Sequence, residues 1–373
     1  MLSSLCARVF VYSARRSLPA LSINLLVNTS FTPISVSAAT VSSKTNPEEV
    51  KPLLGRTAIV TGASRGVGRG IALQLGEAGA TVYITGREPS KSLVSKDSDL
   101  PSLKDTGEEI RKRGGECIVV YCNHENHNDV KKLFEKVSEE RSNKLDVLVN
   151  AAFSGAPSIM DGEGKKFFEC DPLLWDDINN VGLRNVYICS VYASRLMVAQ
   201  KSGLIVNISS AGGLQYFFNV PYGVGKAAID RMSADMAVDL KPYGVCTVSL
   251  WPGAVKTELS KKMVASGKFS ALTGISQELA EKSLENGETP EFVGRAVVAL
   301  ASDRNVMKKS GRIVLTGDLC REYGFVDIDG RTPTNMRNVN AALDFFGWSG
   351  AAKVVPNCFK VPSWAMHMSS YKF

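Results

Sequence analysis

The sequence predicts an α/β protein in which a doubly wound, seven-stranded parallel sheet is covered by helices on both faces. From residue 57 onward, short runs of β-branched residues alternate with longer segments of helical periodicity, the pattern of strand–helix–strand units. The runs are almost continuously apolar, as expected for strands that are buried on both faces. A glycine-rich stretch directly after the first run predicts a tight turn into the first helix.

Strands and helices follow each other in regular order. Each short apolar run predicts a strand, and each periodic stretch predicts the helix that returns the chain to the same end of the sheet. Two polar or glycine-rich insertions, at 88–103 and 154–171, are expected to be loops. The predicted strands are 57–61, 81–85, 116–121, 146–150, 204–208, 244–250 and 312–315, and the predicted helices are 66–79, 104–113, 128–141, 173–200, 222–241 and 291–302.

The unbroken pattern predicts one catalytic domain, at 51–317, rather than two domains. Residues 1–50 are rich in Ser and contain Arg but no acid before Glu48, a composition typical of a mitochondrial presequence. They are therefore expected to be a targeting leader, with a disordered tail or a weak secretory signal as the alternatives. Residues 318–373 form a C-terminal extension.

Charge and cysteine content exclude several classes of protein. The formal net charge is +7, but part of it lies in the leader and no basic stripe with interleaved aromatic residues is present, so nucleic acid is not an expected partner. The eight cysteines have no C-x-x-C spacing and are expected to be buried thiols in a reducing compartment. The segment His124-Glu-Asn-His127 is expected to be a solvated turn, and no metal site is predicted.

The glycine-rich turn after the first strand predicts a dinucleotide-phosphate site. Glycines at 62, 66 and 68 allow a tight turn and a close approach of the backbone to a pyrophosphate. The helix that follows would direct unpaired N–H groups and the positive end of its dipole at the phosphates. A glycine-rich turn without a ligand is the alternative. The turn reads Thr61-Gly62-Ala63-Ser64-Arg65-Gly66-Val67-Gly68.

The end of the second predicted strand indicates which dinucleotide binds. An acid there would accept the ribose hydroxyls of NAD, but this strand is followed by Gly86 and Arg87. Arg87, helped by Arg65, could make charge-assisted and stacking contacts with a 2′-phosphate. The sequence therefore favours NADP(H), the alternative being that Arg87 is a solvated surface charge.

A second motif, Tyr222-Gly-Val-Gly-Lys226, predicts an acid/base group beside a fixed cation. Tyr222 and Lys226 are i and i+4 on one helix, so their side chains share a face. A neighbouring ammonium favours the phenolate, and we expect Lys226 to lower the pKa of Tyr222 and also to hold the nicotinamide ribose.

Two strand ends complete the predicted site. The strand before the Tyr222 helix ends in Ser209-Ser210, where a hydroxyl could donate to a substrate carbonyl as negative charge develops. Ser210 is the preferred donor, and the spacing leaves Ser209 open. After the next strand, Trp251-Pro252-Gly253 leads to Thr257, which would place backbone groups and a hydroxyl beside a nicotinamide.

These motifs resemble the short-chain dehydrogenase/reductase superfamily over about residues 55–317. The resemblance implies a Rossmann-type fold, NADP(H), and a homodimer or homotetramer. A closer likeness to one member, which continues to Phe373, implies an NADPH-dependent carbonyl reductase for steroids and xenobiotic ketones at the endoplasmic reticulum. The catalytic residues would be Tyr222, Lys226 and Ser210, and the cofactor-binding residues Gly62, Ser64, Arg65, Gly66, Val67, Gly68, Arg87, Asn123, Asn150, Ala151, Tyr222, Lys226, Pro252, Gly253, Val255 and Thr257.

The chain departs from the superfamily's pattern at three places. Gly182 stands where the superfamily usually has an asparagine that links the active lysine to solvent, and either Asn179 or Asn185 could supply the missing amide. The sequence after the fourth strand is Asn150-Ala-Ala-Phe153 in place of Asn-Asn-Ala-Gly. The acid that commonly contacts adenine is Asn123.

Two other functions fit parts of the sequence. A nucleotide-sensing protein with little catalysis is suggested by Gly182. The spacing Gly62-x-Ser64-x-Gly66 also matches the nucleophile elbow of α/β-hydrolases, for which His367 is the histidine far enough along the chain.

The substrate and membrane contacts are outlined by aromatic residues. Residues 216–218 and 255–290 fall where the resemblance places the pocket and its lid, and their aromatic side chains suit a flat hydrophobic carbonyl compound. The aromatic residues of the C-terminal extension could touch a membrane surface, although packing against the sheet edge or a second subunit is favoured. They are Phe345, Phe346, Trp348 and Trp364.

Overall fold

The computed structural model describes residues 51–89, 100–162 and 165–340, together with 343, 350, 354–356, 359–362 and 365–366. The predicted leader lies outside these residues, and so do His367 and the four tail aromatics Phe345, Phe346, Trp348 and Trp364.

The described strands form one parallel sheet. They are β1 (Thr57–Val60), β2 (Thr81–Gly86), β3 (Glu116–Tyr121), β4 (Val147–Asn150), β5 (Gly203–Ile208), β6 (Val245–Trp251) and β7 (Ile313–Leu315). Their order in the sheet is β3-β2-β1-β4-β5-β6-β7. The order reverses between β1 and β4, and in such sheets ligands bind beyond the carboxyl ends of the strands at this point. The prediction of a seven-stranded parallel sheet is confirmed.

The helices lie on both faces of the sheet. Polar side chains begin several of them: the hydroxyl of Ser102 accepts a hydrogen bond from the backbone N–H of Asp105, and the amide oxygen of Asn219 accepts one from that of Tyr222. The α-helices are α1 (Gly66–Glu77), α2 (Leu103–Lys112), α3 (His127–Glu140), α4 (Ala156–Asp161), α5 (Leu174–Asn179), α6 (Asn185–Gln200), α7 (Val220–Leu240), α8 (Glu258–Ala265), α9 (Lys268–Thr273), α10 (Gln277–Glu285), α11 (Pro290–Ser302) and α12 (Thr316–Tyr323).

Alternate residues of each strand enter two apolar layers. In β1, Ala58 and Val60 pack on the side of α1 and α11, whereas Ile59 packs on the side of α3 and α6. All four residues of β1 are buried. Burial on both faces explains why the strand segments are continuously apolar in sequence.

Two predicted elements differ from the structure. The segment 154–171 contains helix α4 and a short 3₁₀ turn at Phe167–Glu169, so the prediction of a loop there was wrong. The long helix predicted at 173–200 is interrupted by a π-helical segment, Asn180–Arg184, between α5 and α6. A π-helical turn adds a residue to the helical repeat and often occurs at functional sites.

The described part of the C-terminal extension packs against the end of the sheet. Asp318, in α12, forms ion pairs with Arg337 and Lys360, and the predicted domain boundary at residue 317 lies inside this helix. The apolar contact joins the carboxyl ends of β6 and β7 to the extension. Its buried members are Ala211, Leu214, Trp251, Leu315, Met336, Val361, Ala365 and Met366.

No helix in the described residues is both long and apolar enough to cross a membrane. The six cysteines in the same residues are free thiols, and all except Cys170 are buried.

Helices α1 and α11 cross at glycines. A Cβ atom at Gly70 would lie 2.2 Å from the carbonyl carbon and oxygen of Pro290, and one at Gly294 would lie 2.5 Å from the carbonyl oxygen of Gly70. The two backbones are therefore in direct contact, and α1 is held in place behind the glycine-rich turn.

We expect Gly70→Ala to lower the free energy of unfolding by about 3 kcal/mol or more, because the added methyl group must push α1 away from the backbone of Pro290. Chemical denaturation followed by circular dichroism measures the loss. Gly55→Ala is the control. Gly55 has a φ of 78° but open space around the added Cβ, so about 1 kcal/mol of backbone strain is expected. Equal losses in the two variants would contradict the packing argument.

Candidate active site

The glycine-rich turn after β1 lies against the chain that follows β4. Gly62 has a φ of 68°, and a Cβ atom there would lie 2.6 Å from the Cα of Ala152. The hydroxyl of Thr61 accepts hydrogen bonds from the backbone N–H groups of Ala151 and Ala152, at 3.0 and 3.1 Å. Glycine is required at position 62, because any side chain would separate the two segments.

Helix α1 begins at Gly66, and the N–H groups of its first turn have no partners within the helix. A Cβ atom at Gly68 would lie 2.2 Å from the carbonyl oxygen of Gly62, so the turn can close only over glycine. The carboxylate of Glu258, the first residue of α8, accepts a hydrogen bond from the N–H of Gly66 at 3.0 Å. An anionic group is thus already held at the helix N-terminus, and the site fits a dinucleotide pyrophosphate. Sequence reasoning missed Glu258, which is 192 residues away from Gly66 along the chain.

The predicted 2′-phosphate contacts lie at the end of β2. The N–H of Ala63 donates to the carbonyl oxygen of Thr85 at 2.9 Å, which places the turn beside residues 85–87. A Cβ atom at Gly86 would lie 2.6 Å from the hydroxyl of Ser64. Arg87 follows with an exposed side chain, so its guanidinium is free to meet a ligand at this edge.

Two predicted cofactor residues have their side chains engaged elsewhere. Asn150 is buried, and its amide nitrogen donates to Ser190 and Asn207 at 3.1 and 2.8 Å. A contact of Asn150 with a cofactor would therefore use its backbone. Asn123 is exposed, and its side-chain oxygen accepts a hydrogen bond from the N–H of Glu125 at 3.2 Å.

Lys226 lies on α7, one turn after Tyr222, and its ammonium donates to the carbonyl oxygen of Ile208 at 3.0 Å. That carbonyl belongs to the last residue of β5, so the cation is tied to the carboxyl edge of the sheet. The ammonium also lies 5.4 Å from the ring centroid of Phe153. Burial lowers the pKa of Lys226 to about 8.

The ring of Tyr222 is surrounded by aromatic side chains. The ring centroids of Phe218, Phe153 and Phe217 lie 5.2, 6.1 and 6.5 Å from it. Burial raises the pKa of Tyr222, and a hydrogen bond with Ser210 opposes that effect. The expectation that Lys226 lowers this pKa finds no support, because burial of the phenol dominates. A raised pKa keeps the phenol protonated at neutral pH.

The structure brings Ser210, and not Ser209, to Tyr222. Ser210 begins the 3₁₀ turn Ala211–Gly213, where its hydroxyl oxygen accepts a hydrogen bond from the N–H of Gly212 at 3.1 Å. The same hydroxyl hydrogen-bonds the phenol of Tyr222. The hydroxyl of Ser209 donates to the backbone carbonyl of Lys226 at 3.1 Å and is buried.

The loop after β6 reaches both halves of the predicted cofactor site. Pro252 and Gly253 follow the strand directly, and Val255 forms a parallel β-bridge with Glu288. Thr257 is the N-cap of α8, and its methyl carbon lies 3.4 Å from where a Cβ of Gly66 would be. The loop therefore joins the strand ends to the glycine-rich turn, as a nicotinamide site requires.

Glu288 holds this loop through a hydrogen bond, and no sequence motif indicated this residue. Its carboxyl group accepts a hydrogen bond from the hydroxyl of Thr316 at 2.8 Å and one from the N–H of Gly253. Burial raises the pKa of Glu288 to about 8, so the carboxyl group is largely neutral at pH 7.

Comparison with known proteins decides the family. The family model for short chain dehydrogenases matches residues 56–267. Dehydrogenase/reductase SDR family member 1 of Mus musculus is 46% identical to the chain over 327 residues, which are 87% of this chain and 100% of that protein. The chain is a short-chain dehydrogenase/reductase. The protein of the same name from Homo sapiens is 45% identical over 325 residues, which are 86% of this chain and 99% of that one.

A solved structure agrees with this assignment. A metagenomic short-chain oxidoreductase crystallised with NADP is 26% identical, with a TM-score of 0.53, and the match covers 71% of this chain and 97% of that one. The short-chain dehydrogenase/reductase described here is thus an oxidoreductase whose glycine-rich turn fits a nicotinamide cofactor and whose substrate is a small molecule. The alternative of an α/β-hydrolase with Ser64 as its nucleophile was wrong.

Two departures of this short-chain dehydrogenase/reductase from its family pattern compensate for each other. A Cβ atom at Gly182 would lie 3.0 Å from the ring of Phe153. Phe153 stands where the family usually has glycine, and its ring would be in tight contact with any side chain at 182. Glycine in the π-helical segment avoids this contact.

Of the two candidate amides, only Asn179 lies beside the helix that carries Tyr222. Its side-chain nitrogen donates to the carbonyl oxygen of Pro221 at 3.2 Å, and its oxygen lies 2.2 Å from where a Cβ of Gly225 would be. The side-chain oxygen of Asn185 instead lies 2.9 Å from Nδ1 of His124.

The segment His124–His127 forms the predicted turn and most of it is exposed, but the prediction was wrong for His124. The side chain is buried, with Nε2 at 2.7 Å from the hydroxyl of Thr85 and Nδ1 beside Asn185. Burial lowers the pKa of His124 to about 4, so the ring is neutral at physiological pH. Both partners come from distant elements, β2 and α6, which local sequence cannot indicate. In the described residues, no three His, Cys, Asp or Glu side chains form a group that could hold a metal ion.

A double-mutant cycle tests the Phe153–Gly182 pair. Gly182→Asn alone should lower the free energy of unfolding by about 1 to 3 kcal/mol through overpacking, and Phe153→Gly alone by about 3 kcal/mol or more through the cavity it leaves. The double variant should lose at least 1 kcal/mol less than the sum, because each change relieves the other. Denaturant unfolding measures all four proteins. Additive losses would show that the two residues are independent.

Proposed function

We propose that this short-chain dehydrogenase/reductase is an NADPH-dependent carbonyl reductase that acts on hydrophobic ketones. One observation carries the proposal: the phenol of Tyr222, the hydroxyl of Ser210 and the ammonium of Lys226 converge at the carboxyl edge of the sheet beside an aromatic wall. The phenol of Tyr222 is protonated at neutral pH, as proton donation to a carbonyl requires.

The three side chains take separate roles in reduction. The phenol of Tyr222 gives its proton to the carbonyl oxygen, so the phenolic O–H bond breaks as the product O–H bond forms. The hydroxyl of Ser210 donates a hydrogen bond to the same oxygen while negative charge develops on it. The ammonium of Lys226 stabilises the phenolate that remains. When bound, NADPH supplies the hydride that the carbonyl carbon receives.

The cofactor would be held by three segments of the chain. The turn from Gly62 to Gly68 would bind the pyrophosphate, and Arg87 with Arg65 would bind the 2′-phosphate. The loop from Pro252 to Thr257 would hold the nicotinamide. The preference for NADP(H) is supported by Arg87, the first residue after β2, and by the NADP bound in the metagenomic relative.

An apolar cluster beside Tyr222 supports a hydrophobic substrate. Phe218 has a φ of 58°, a strained conformation for an aromatic residue, and its ring contacts both Tyr222 and Phe269 of α9. Steroids and xenobiotic ketones have the flat apolar surface that such a wall would bind. The cluster includes Phe153, Ile159, Met160, Leu174, Ile178, Phe218, Tyr222, Leu259, Met263, Phe269 and Leu272.

Localisation and assembly stay predictions. The leader at 1–50 predicts mitochondria, and the family likeness predicts the endoplasmic reticulum and a homo-oligomer. Fusing residues 1–50 to a fluorescent protein separates the two locations, because a reticular signal would contradict the presequence.

The reductase is tested by NADPH oxidation with a panel of ketosteroids and quinones, using protein without the leader. We expect carbonyl-dependent oxidation that Tyr222→Phe reduces at least 100-fold, because the variant keeps the ring but has no proton to donate. Tight NADPH binding without turnover on any carbonyl would instead support the nucleotide-sensing alternative.

The cofactor preference is tested at Arg87. Arg87→Ala should raise KM for NADPH about tenfold or more and leave KM for NADH nearly unchanged, because a hydrogen bond between charged groups contributes about 1.5 to 3 kcal/mol. Arg304→Ala, which removes another exposed arginine far from β2, is the control and should change neither value. Equal changes in KM for NADPH and NADH would show that Arg87 does not bind the 2′-phosphate.

A further inference from the structure

Asp230 lies on α7 one turn beyond Lys226, so Tyr222, Lys226 and Asp230 share one face of the helix. The family motif ends at the lysine and assigns no role to this acid. Its carboxylate is partly buried and faces β6, and a Cβ atom at Gly213 would lie 2.8 Å from one of its oxygens.

The carboxylate of Asp230 is held by two hydrogen-bond donors. One of its oxygens accepts hydrogen bonds from the hydroxyl of Ser249 at 2.6 Å and from the indole N–H of Trp251 at 2.9 Å, both on β6. Burial raises the pKa of this carboxyl group, and the hydrogen bonds from Ser249 and Trp251 oppose that effect. These groups fix the carboxylate between the strand ends that carry Ser210 and Pro252.

Lys226 has a limited set of partners for a buried cation. Its ammonium donates to the carbonyl of Ile208 and faces the ring of Phe153, and neither group carries a charge. Within the described part of the chain, Asp230 is the charged group that bears on Lys226, and its field opposes the effect of burial on the ammonium. Lys226 is likewise the charged group that bears on Asp230.

Among the described residues, the groups around Asp230 include no second carboxylate that bears on Lys226. The other groups that face Asp230 are the hydroxyls of Ser209 and Ser249 and the indole of Trp251, which do not ionise in the physiological range. On the opposite side of Lys226, Phe153 and Gly182 take the place of the family's asparagine, so no amide reaches the ammonium from position 182.

We propose that Asp230 is the counter-charge of Lys226, and that its charge keeps the ammonium protonated beside Tyr222. This inference rests on the proposed reductase function. A desolvated cation that loses a nearby opposite charge gives up its proton more readily. Without Asp230, Lys226 would lose its proton at a lower pH than in the parent protein. A neutral Lys226 could not stabilise the phenolate of Tyr222.

Asp230→Asn tests the charge alone, because asparagine keeps an oxygen that accepts from Ser249 and Trp251. Asp235→Asn is the matched control: it removes the same charge from the same helix at an exposed position that pairs with Arg231. Two readouts are compared for both variants and the parent protein. The first is competitive acetylation of the cofactor-free protein with acetic anhydride across pH, followed by mass spectrometry of the peptide that contains Lys226. The second is the pH profile of kcat/KM for carbonyl reduction.

We expect the acetylation midpoint of Lys226 to lie near pH 8 in the parent protein, in line with its pKa, and about one unit lower in Asp230→Asn. Lys226 is charged below its pKa, so reduction should fall as pH rises through that value, and the fall should start about one unit earlier in the variant. The Kd for NADPH should change less than threefold. Asp235→Asn should match the parent protein in every readout.

An unmoved acetylation midpoint together with an unmoved pH profile in Asp230→Asn would overturn the inference. Asp230→Ser also removes the charge and serves the same test if the asparagine variant does not bind NADPH. Acetylation separates the two proposals, because it needs no turnover. A shifted acetylation midpoint of Lys226 in a protein that reduces no carbonyl would contradict the proposed reductase function. It would still support Asp230 as the counter-charge of Lys226.

Discussion

An ammonium group loses its hydration when it is buried, and the surroundings of Lys226 are organised around that loss. The carbonyl of Ile208 accepts its hydrogen bond, the ring of Phe153 faces it, and the carboxylate of Asp230 lies one helical turn away. Each group comes from a different element, so the cation joins β5, the segment after β4 and α7. In the proposed reduction, proton transfer at Tyr222 would depend on these contacts, because a lysine that is neutral or turned away could not stabilise a phenolate.

The aromatic cage that Phe153, Phe217 and Phe218 form around Tyr222 has two effects. It buries the phenol and so raises the pKa of Tyr222, and the phenol is protonated at neutral pH. It also narrows the site, because the ring of Phe153 lies 3.0 Å from where a Cβ atom at position 182 would be. The chain accommodates this ring with glycine at 182 inside the π-helical segment. Phe153 and Gly182, which look like two separate departures when the sequence is considered alone, thus lie side by side and belong to one change in packing.

The fold was largely predictable because its signals are local. Continuous apolar runs predicted the seven strands, and the Tyr222–Lys226 spacing predicted a shared helix face. Helix α4 was missed because Gly155 and Pro157 indicated a loop, although proline is well tolerated in the first turn of a helix. His124 was misjudged because its partners, Thr85 and Asn185, come from other elements.

The sequence by itself determined the order of the elements, the glycine-rich turn and the pairing of a phenol with a cation, because each depends on spacing of a few residues. Tertiary structure alone decided which serine meets Tyr222, that Glu258 reaches the N–H of Gly66, and that Asp230 lies behind Lys226 between two strand ends. These contacts bring together residues from separate strands and helices. Their formation depends on the register of the sheet and the packing of α7 and α8, and no short stretch of sequence carries that information.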